Sequence, residues 1–213
     1  MSEHKLREGL PSLPPEMKHL PIDERGYPVP FFVARVNGKP DFRIADQTKK
    51  AKAIQFNRCW ICGEQLGRYR AFVIGPMCAV NRVSSEPPSH LNCAMFAVKA
   101  CPFLILPKGV RREANMPEAS TEPPGIMLMR NPGVTLIWVT QVYTITRHAD
   151  GELFHLRAPP SQVLWYTQGR RATREEAQAS IDSGLPALRE MAALENALPE
   201  LERMVEAVAP LLP

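Results

Sequence analysis

Cys59 and Cys62 stand two residues apart, and after a further 27 residues His90 and Cys93 repeat the spacing. Three thiols and an imidazole in two close pairs are the donor set of a tetrahedral zinc site. Two intervening residues let one tight turn aim both members of a pair at the same ion. Gly63, directly after the second cysteine, permits the positive φ that such a knuckle needs. The expected chemistry is one structural Zn2+, because four protein donors leave no open position for a substrate. Cys78 is the alternative to His90 as fourth ligand, and Cys101 reads as a small apolar residue packed in a helix.

The elements that must position these donors can be read from the same stretch. Tyr69–Ile74 and Met77–Val80 are short apolar runs on either side of Gly75-Pro76, which predicts a β-hairpin. Pro87-Pro88-Ser89 predicts a helix start with Ser89 as N-cap, running from about His90 to Cys101 and stopped by Pro102. His90 and Cys93, at i and i+3, then share one face of its first turn. Knuckle, hairpin and a helix carrying the second ligand pair resemble a treble-clef zinc finger across Arg58–Pro102.

Around this module the chain divides into segments. Residues 1–30 hold six prolines and predict an extended arm, with Leu10, Leu13, Met17, Leu20 and Tyr27 available to pack. Phe31–Val36 and Lys39–Ile44 flank Asn37-Gly38, a strong hairpin signal, and Asp46 caps a predicted short helix to about Phe56. Residues 31–102 thus form a hairpin plus the zinc module, and residues 103–131, rich in Pro and charge, read as a loop. Residues 132–213 predict antiparallel strands and C-terminal helices, packed with the zinc module as one unit. A strand runs from Val134 to Thr146, with a second hairpin at Asp150-Gly151 and a short element at Val163–Tyr166. Thr173-Arg174-Glu175-Glu176 is a capping box for a helix ending near Gly184, and Pro186 and Pro199 open two more. The fold class is α+β: a treble-clef-like zinc finger joined to a small antiparallel sheet with C-terminal helices.

Hydrophobic content of 45% and charge of 23% are those of an ordinary globular chain, and no apolar run is long enough to span a membrane. The polar start MSEHKLREG does not read as a signal peptide. Five cysteines clustered for metal fit a reducing compartment, so a cytoplasmic location is expected. The net charge of +4 is uneven: Arg35–Arg82 holds ten Lys/Arg against three Asp/Glu, whereas Arg189–Pro213 holds two against five. Lys49, Lys50, Lys52, Arg58, Arg68 and Arg70 flank the knuckle with Trp60 and Tyr69 interleaved, a pattern that suits nucleic acid. A treble-clef nuclease would place a histidine between the ligand pairs as general base, and none lies between Cys62 and His90. If Asp150-Gly151 is a two-residue turn, His148 and His155 share a sheet face two positions out of register and make a candidate second site.

The stretches RGYPVPFFVARVNGKPDFR, RCWICGEQLGRYRAFVIGPMCAVNRVSSEPPSHLNCA, ACPFL and NPGV resemble a family of uncharacterised proteins from bacteriophages and bacterial genomes. The resemblance implies a phage or prophage setting, so that the host cytoplasm is the expected location. It also implies that the zinc half and the following sheet form one unit. It implies no substrate. A host protein is the partner expected besides nucleic acid, through the arm, the 103–131 loop and the acidic C-terminal helices.

Overall fold

The computed structural model describes residues 4–106 and 132–213, so most of the predicted 103–131 loop lies outside the described residues. The arm opens with extended backbone and a 3-10 turn at Pro15–Met17. Strands β1 (Val33–Val36) and β2 (Lys39–Ala45) form the hairpin expected of Asn37-Gly38, whose φ angles of 51° and 79° match a type I′ turn. Helix α1 (Gln47–Gln55) starts at Asp46, whose carboxylate accepts the Lys49 N–H at 3.1 Å. After the knuckle come β3 (Arg70–Ile74), α2 (Pro76–Asn81), β4 (Val83–Ser84), α3 (Leu91–Ala100) and the single turn α4 (Pro102–Ile105). The second half supplies β5 (Thr135–Thr140), β6 (Thr144–His148), β7 (Gly151–His155), β8 (Gln162–Thr167) and β9 (Arg170–Arg171). Helices α5 (Arg174–Leu194) and α6 (Leu198–Val208) end the chain. The class is α+β, as expected.

The central sheet has the order β3-β5-β8-β9, all antiparallel, and a smaller sheet has the order β4-β7-β6. Strand β3 therefore pairs with β5 from the other half of the chain, Phe72 opposite Trp138. The central sheet is covered on both faces, and its side chains divide by the two-residue period of a strand. Phe72, Ile74, Leu136, Trp138 and Trp165 pack with α2, α5 and α6. Ala71, Ile137, Val139, Leu164 and Tyr166 pack instead with Ala94 and Val98 of α3. β5 is buried along its whole length, which explains its unbroken apolar and β-branched run.

Four expectations are corrected. No hairpin forms at 69–80: Gly75 is an N-cap and Pro76 occupies the first turn of α2, where a missing N–H costs nothing. The predicted Val134–Thr146 strand breaks after Thr140, whose hydroxyl bonds the backbone of Val142, and the chain crosses into the smaller sheet. The turn of the second hairpin is Ala149-Asp150 rather than Asp150-Gly151, which places His155 opposite Thr144. The helix opened by the Thr173 capping box does not stop near Gly184 but continues through Pro186 to Leu194. Gly184, Leu185 and Leu188 are buried on its core face, and that burial outweighs the hydrogen bond lost at Pro186.

The described part of the arm is wrapped along the zinc module. Met17 and Leu20 are buried in a cluster with Ile61, Leu66 and Phe96, and Leu10 and Leu13 pack at its edge. A tight turn holds the arm's end: Asp23 accepts the Tyr27 N–H at 2.8 Å, the Arg25 N–H at 3.0 Å and the Arg25 Nε at 2.8 Å. Burial pushes the Asp23 carboxyl upward, but these bonds from Tyr27 and Arg25 hold it below its ordinary value. Asp23→Ala is expected to cost about 1–3 kcal/mol at neutral pH, read by urea unfolding. A depressed carboxylate stabilises fully above its unfolded value of about 3.9, so the gap between wild type and variant should close as pH falls below about 4.

Candidate metal centre

The knuckle is fixed by its own backbone. Cys59 N–H donates to Glu64 O at 2.8 Å, Gly63 N–H to Cys59 O at 2.8 Å, and Leu66 N–H to Asn57 O at 2.9 Å. Gly63 has a φ of 81°, and a Cβ there would lie 2.7 Å from the Phe31 ring, so both the backbone and the space require glycine. The Cys62 and His90 backbone amides each lie 3.4 Å from Cys59 Sγ, which favours the thiolate there.

The second pair enters on α3, one position away from the expectation. His90, not Ser89, is the N-cap residue, and it makes no side-chain cap bond because its ring is engaged elsewhere. Ser89 is used as strand backbone: it exchanges bonds with Ala71 of β3 at 2.8 and 2.9 Å, while Pro88 O accepts the Trp60 N–H at 3.0 Å. The turn into α3 is thereby stitched between β3 and the knuckle. His90 Nδ1 lies 3.3 Å from Cys62 Sγ and 3.9 Å from Cys93 Sγ. Its Nε2 lies 3.0 Å from Gln65 O, an acceptor only, so Nε2 carries the proton and Nδ1 offers its lone pair to a metal.

The four donor atoms of Cys59, Cys62, His90 and Cys93 all lie within 4.8 Å of one another, positioned to hold one metal ion. A tetrahedral Zn–thiolate site has donor–donor edges of about 3.8 Å, close to the spacing found. The three cysteines are buried and form no disulfide. Cys78 lies on α2 outside the cluster and packs against the main core, so it does not replace His90. The donor set also suits a cation. Hydrogen bonds from Cys62 and Cys93 hold the Cys59 thiol far below its ordinary range, and bonding to that thiolate pushes Cys62 up to about 12 and Cys93 higher still. Three thiolates this close repel one another, and a divalent cation among them would offset that repulsion. The arm closes the site from outside: His19 Nε2 lies 3.0 Å from Cys62 O, and Met17 packs among the ligand cysteines.

The basic residues beside the knuckle separate into two groups. Lys50 is 6% exposed and ion-paired with Glu152 at 3.3 Å, and Lys49 Nζ donates to Val33 O at 2.7 Å. Trp60 is 3% exposed and stacked on Phe32, with ring centroids 5.1 Å apart. Lys50 and Trp60 are therefore part of the interior rather than of a nucleic-acid surface, a correction that follows from their burial and from their partners, Glu152 and Phe32. Lys52, Arg58 and Arg68 are exposed. Arg70, half-buried, is held by Arg68 O at 2.6 Å and Asn57 Oδ1 at 3.5 Å. Tyr69 is 52% exposed beside them, and Phe56, absent from the sequence expectation, is 50% exposed. Its signal was an aromatic residue at the C-cap of α1 with no apolar periodicity to bury it. His148 and His155 do share a face, where both Nε2 atoms contact Thr146 Oγ1, at 3.0 and 2.8 Å. Among the described residues no third metal donor joins them.

Purified protein should hold about one zinc per chain by elemental analysis, and Cys59→Ser or Cys93→Ser should lose it while Cys78→Ser keeps it. Because Cys62 and Cys93 must give up protons to the ion, loading should acidify weakly buffered solution and metal affinity should fall as pH falls. No protein-family model matches the chain, nor does any curated protein or solved structure, and the chemistry of the centre stands on its own geometry.

Proposed function

We propose that the protein binds single-stranded nucleic acid on a rim of rings and cations that a structural zinc holds in shape. The observation that carries this reading is the pairing of two half-exposed rings, Phe56 and Tyr69, with Lys52, Arg58, Arg68 and Arg70. Asn57 ties the rim together, since its side chain bonds Leu66 O at 3.3 Å and Arg70 Nη2 at 3.5 Å. Arg58 Nη1 donates to Gly63 O at 2.9 Å, so one cation is anchored directly on the knuckle. Exposed rings provide stacking platforms for unpaired bases, and flanking guanidiniums meet the phosphates. Duplex DNA hides its bases and would use only the cations.

In this reading the ion is zinc and its role is structural, because three thiolates and an imidazole complete its shell and leave no site for a reactive water. The knuckle and the start of α3 supply the two ligand pairs, while β3 pairs with β5 instead of with the hairpin partner a treble clef would have.

Titration of fluorescent oligonucleotides into zinc-loaded protein tests the proposal. Single strands should bind more tightly than duplex, with a log–log salt slope of about −0.7 per phosphate. Tyr69→Ala and Phe56→Ala should each weaken single-strand binding by about 1–3 kcal/mol. Arg68→Gln should flatten the salt slope by about one contact. Lys50→Met should leave affinity unchanged, since that side chain is committed to Glu152. Absence of single-strand binding by folded protein at low salt defeats the reading and leaves a protein partner as the occupant of this face.

A further inference from the structure

A cavity of about 380 Å³ opens between the end of α2, the residues after β7 and helix α6. Arg82, His155, Arg157, Glu200, Arg203 and Met204 line it, and none of them belongs to the metal centre or to the rim beside it. Three arginines converge here with one carboxylate. Glu200 pairs with Arg203, one turn apart on the same helix. Among the described residues no carboxylate forms an ion pair with Arg82 or Arg157, and Arg157 Nε has only Thr144 Oγ1, at 3.4 Å.

Arg82 is the informative residue. Its Nε is buried without a hydrogen-bond partner among the described residues. An unsatisfied buried donor is costly, and the rest of this half-buried side chain lines the cavity, where an acceptor can meet it. Its backbone closes α2 in the left-handed conformation, φ 51°, where Gly or Asn would be accommodated at less cost. Both backbone groups are engaged: the N–H caps α2 at Ala79 O and Cys78 O, and the carbonyl accepts the Leu156 N–H at 2.8 Å. An arginine is thus pinned at a strained position with its side-chain donor unused. The neighbouring His155 is held below the ordinary imidazole value, first by burial and then by the charges of Arg157 and His148.

We propose that this cavity binds a phosphate monoester. Two guanidiniums without counter-ions match the charge of about −1.5 to −2 that such a group carries at neutral pH, whereas a carboxylate would neutralise only one. Guanidinium forks also fit phosphate oxygens two at a time. The cavity is larger than a phosphate alone, and Met204 offers apolar surface to an organic substituent, so the ligand is a small phosphorylated molecule rather than the free ion.

Isothermal titration of the full-length, zinc-loaded protein with phenyl phosphate, inorganic phosphate and benzoate tests this. Phenyl phosphate should bind with a Kd below about 1 mM, inorganic phosphate more weakly, and benzoate at least about tenfold more weakly than phenyl phosphate. Arg82→Gln and Arg157→Gln should each weaken phenyl phosphate by about tenfold or more, with zinc content and circular dichroism unchanged. Arg189→Gln, a surface arginine already paired with Glu202, should have no effect. Arg157 is exposed, so its variant remains informative even if Arg82→Gln fails to fold. The proposal is overturned by no heat from phenyl phosphate in the folded wild type, by equal binding of benzoate, or by undiminished binding in Arg157→Gln.

Discussion

Everything in the described structure rests on helix α3 being wanted on two sides at once. Ala94 and Val98 lie against the central sheet, while Cys93, Phe96 and Ala100 face the knuckle and the arm. A ten-residue helix is only marginally stable in water by itself, and its stability has to come from what it packs against. Here one contact face is a preformed sheet, but the other consists of short segments with little regular structure of their own. The arm contributes one 3-10 turn, and the knuckle only tight turns. Such segments cannot bury enough apolar surface to offset their own ordering. A metal held by the two donors of the knuckle and the two at the start of α3 would convert that weak contact into coordinate bonds.

The same constraint explains the division of the strands. Because α3 covers one face of the central sheet, the other face must be closed by different elements, and α2, α5 and α6 do this. β3 comes from the zinc half and β5 from the C-terminal half, so the central sheet is completed only by both halves together. The crossing from β5 into the smaller sheet is sealed by rings: Tyr143, in the break, lies edge-on to Phe72 at 5.3 Å and tilted against Phe154 at 5.9 Å. An aromatic residue there fills a corner at which two sheets diverge, with geometry favourable to ring pairs.

How much of this could be read from the residues depended on the range of the interaction that decides each feature. The metal donors, the Asn37-Gly38 turn, the Asp46 cap and the Thr173 capping box are local codes, and all four are found where their spacing places them. The errors fall where a distant contact decides. Met77–Val80 has the composition of a strand, but Val80 and Ala79 are claimed by α5 and α6, and a helix presents them better. Gly184 and Pro186 look like a helix end, yet the buried stripe of Leu185 and Leu188 continues across them. Trp60 next to lysines and arginines looks like a base-stacking residue, and only the position of Phe32 behind it reveals that it is interior. The cavity beside α6 had no sequence signal at all, since Arg82, His155 and Arg203 come from three separated elements.

The positive charge of the zinc half illustrates the same point in energetic terms. A lysine buried without a partner is costly, and Lys50 is tolerated in the interior because Glu152 of β7 meets it. Lys49 is similarly occupied by Val33 O and stands over the Phe31 ring at 5.9 Å. These two cations therefore fasten α1 to β7 and to the first hairpin, and their charge is committed to partners within the chain. What is left to act outward is smaller and more ordered. Arg58, Arg68 and Arg70 are braced by Gly63 O, Gln141 and Asn57, bonds that hold guanidiniums in place while leaving part of each fork exposed. A cation already held by neutral acceptors would lose little further freedom on meeting the phosphates of the proposed nucleic acid, which is the physical advantage such a rim would gain from a knuckle locked by metal instead of a mobile loop.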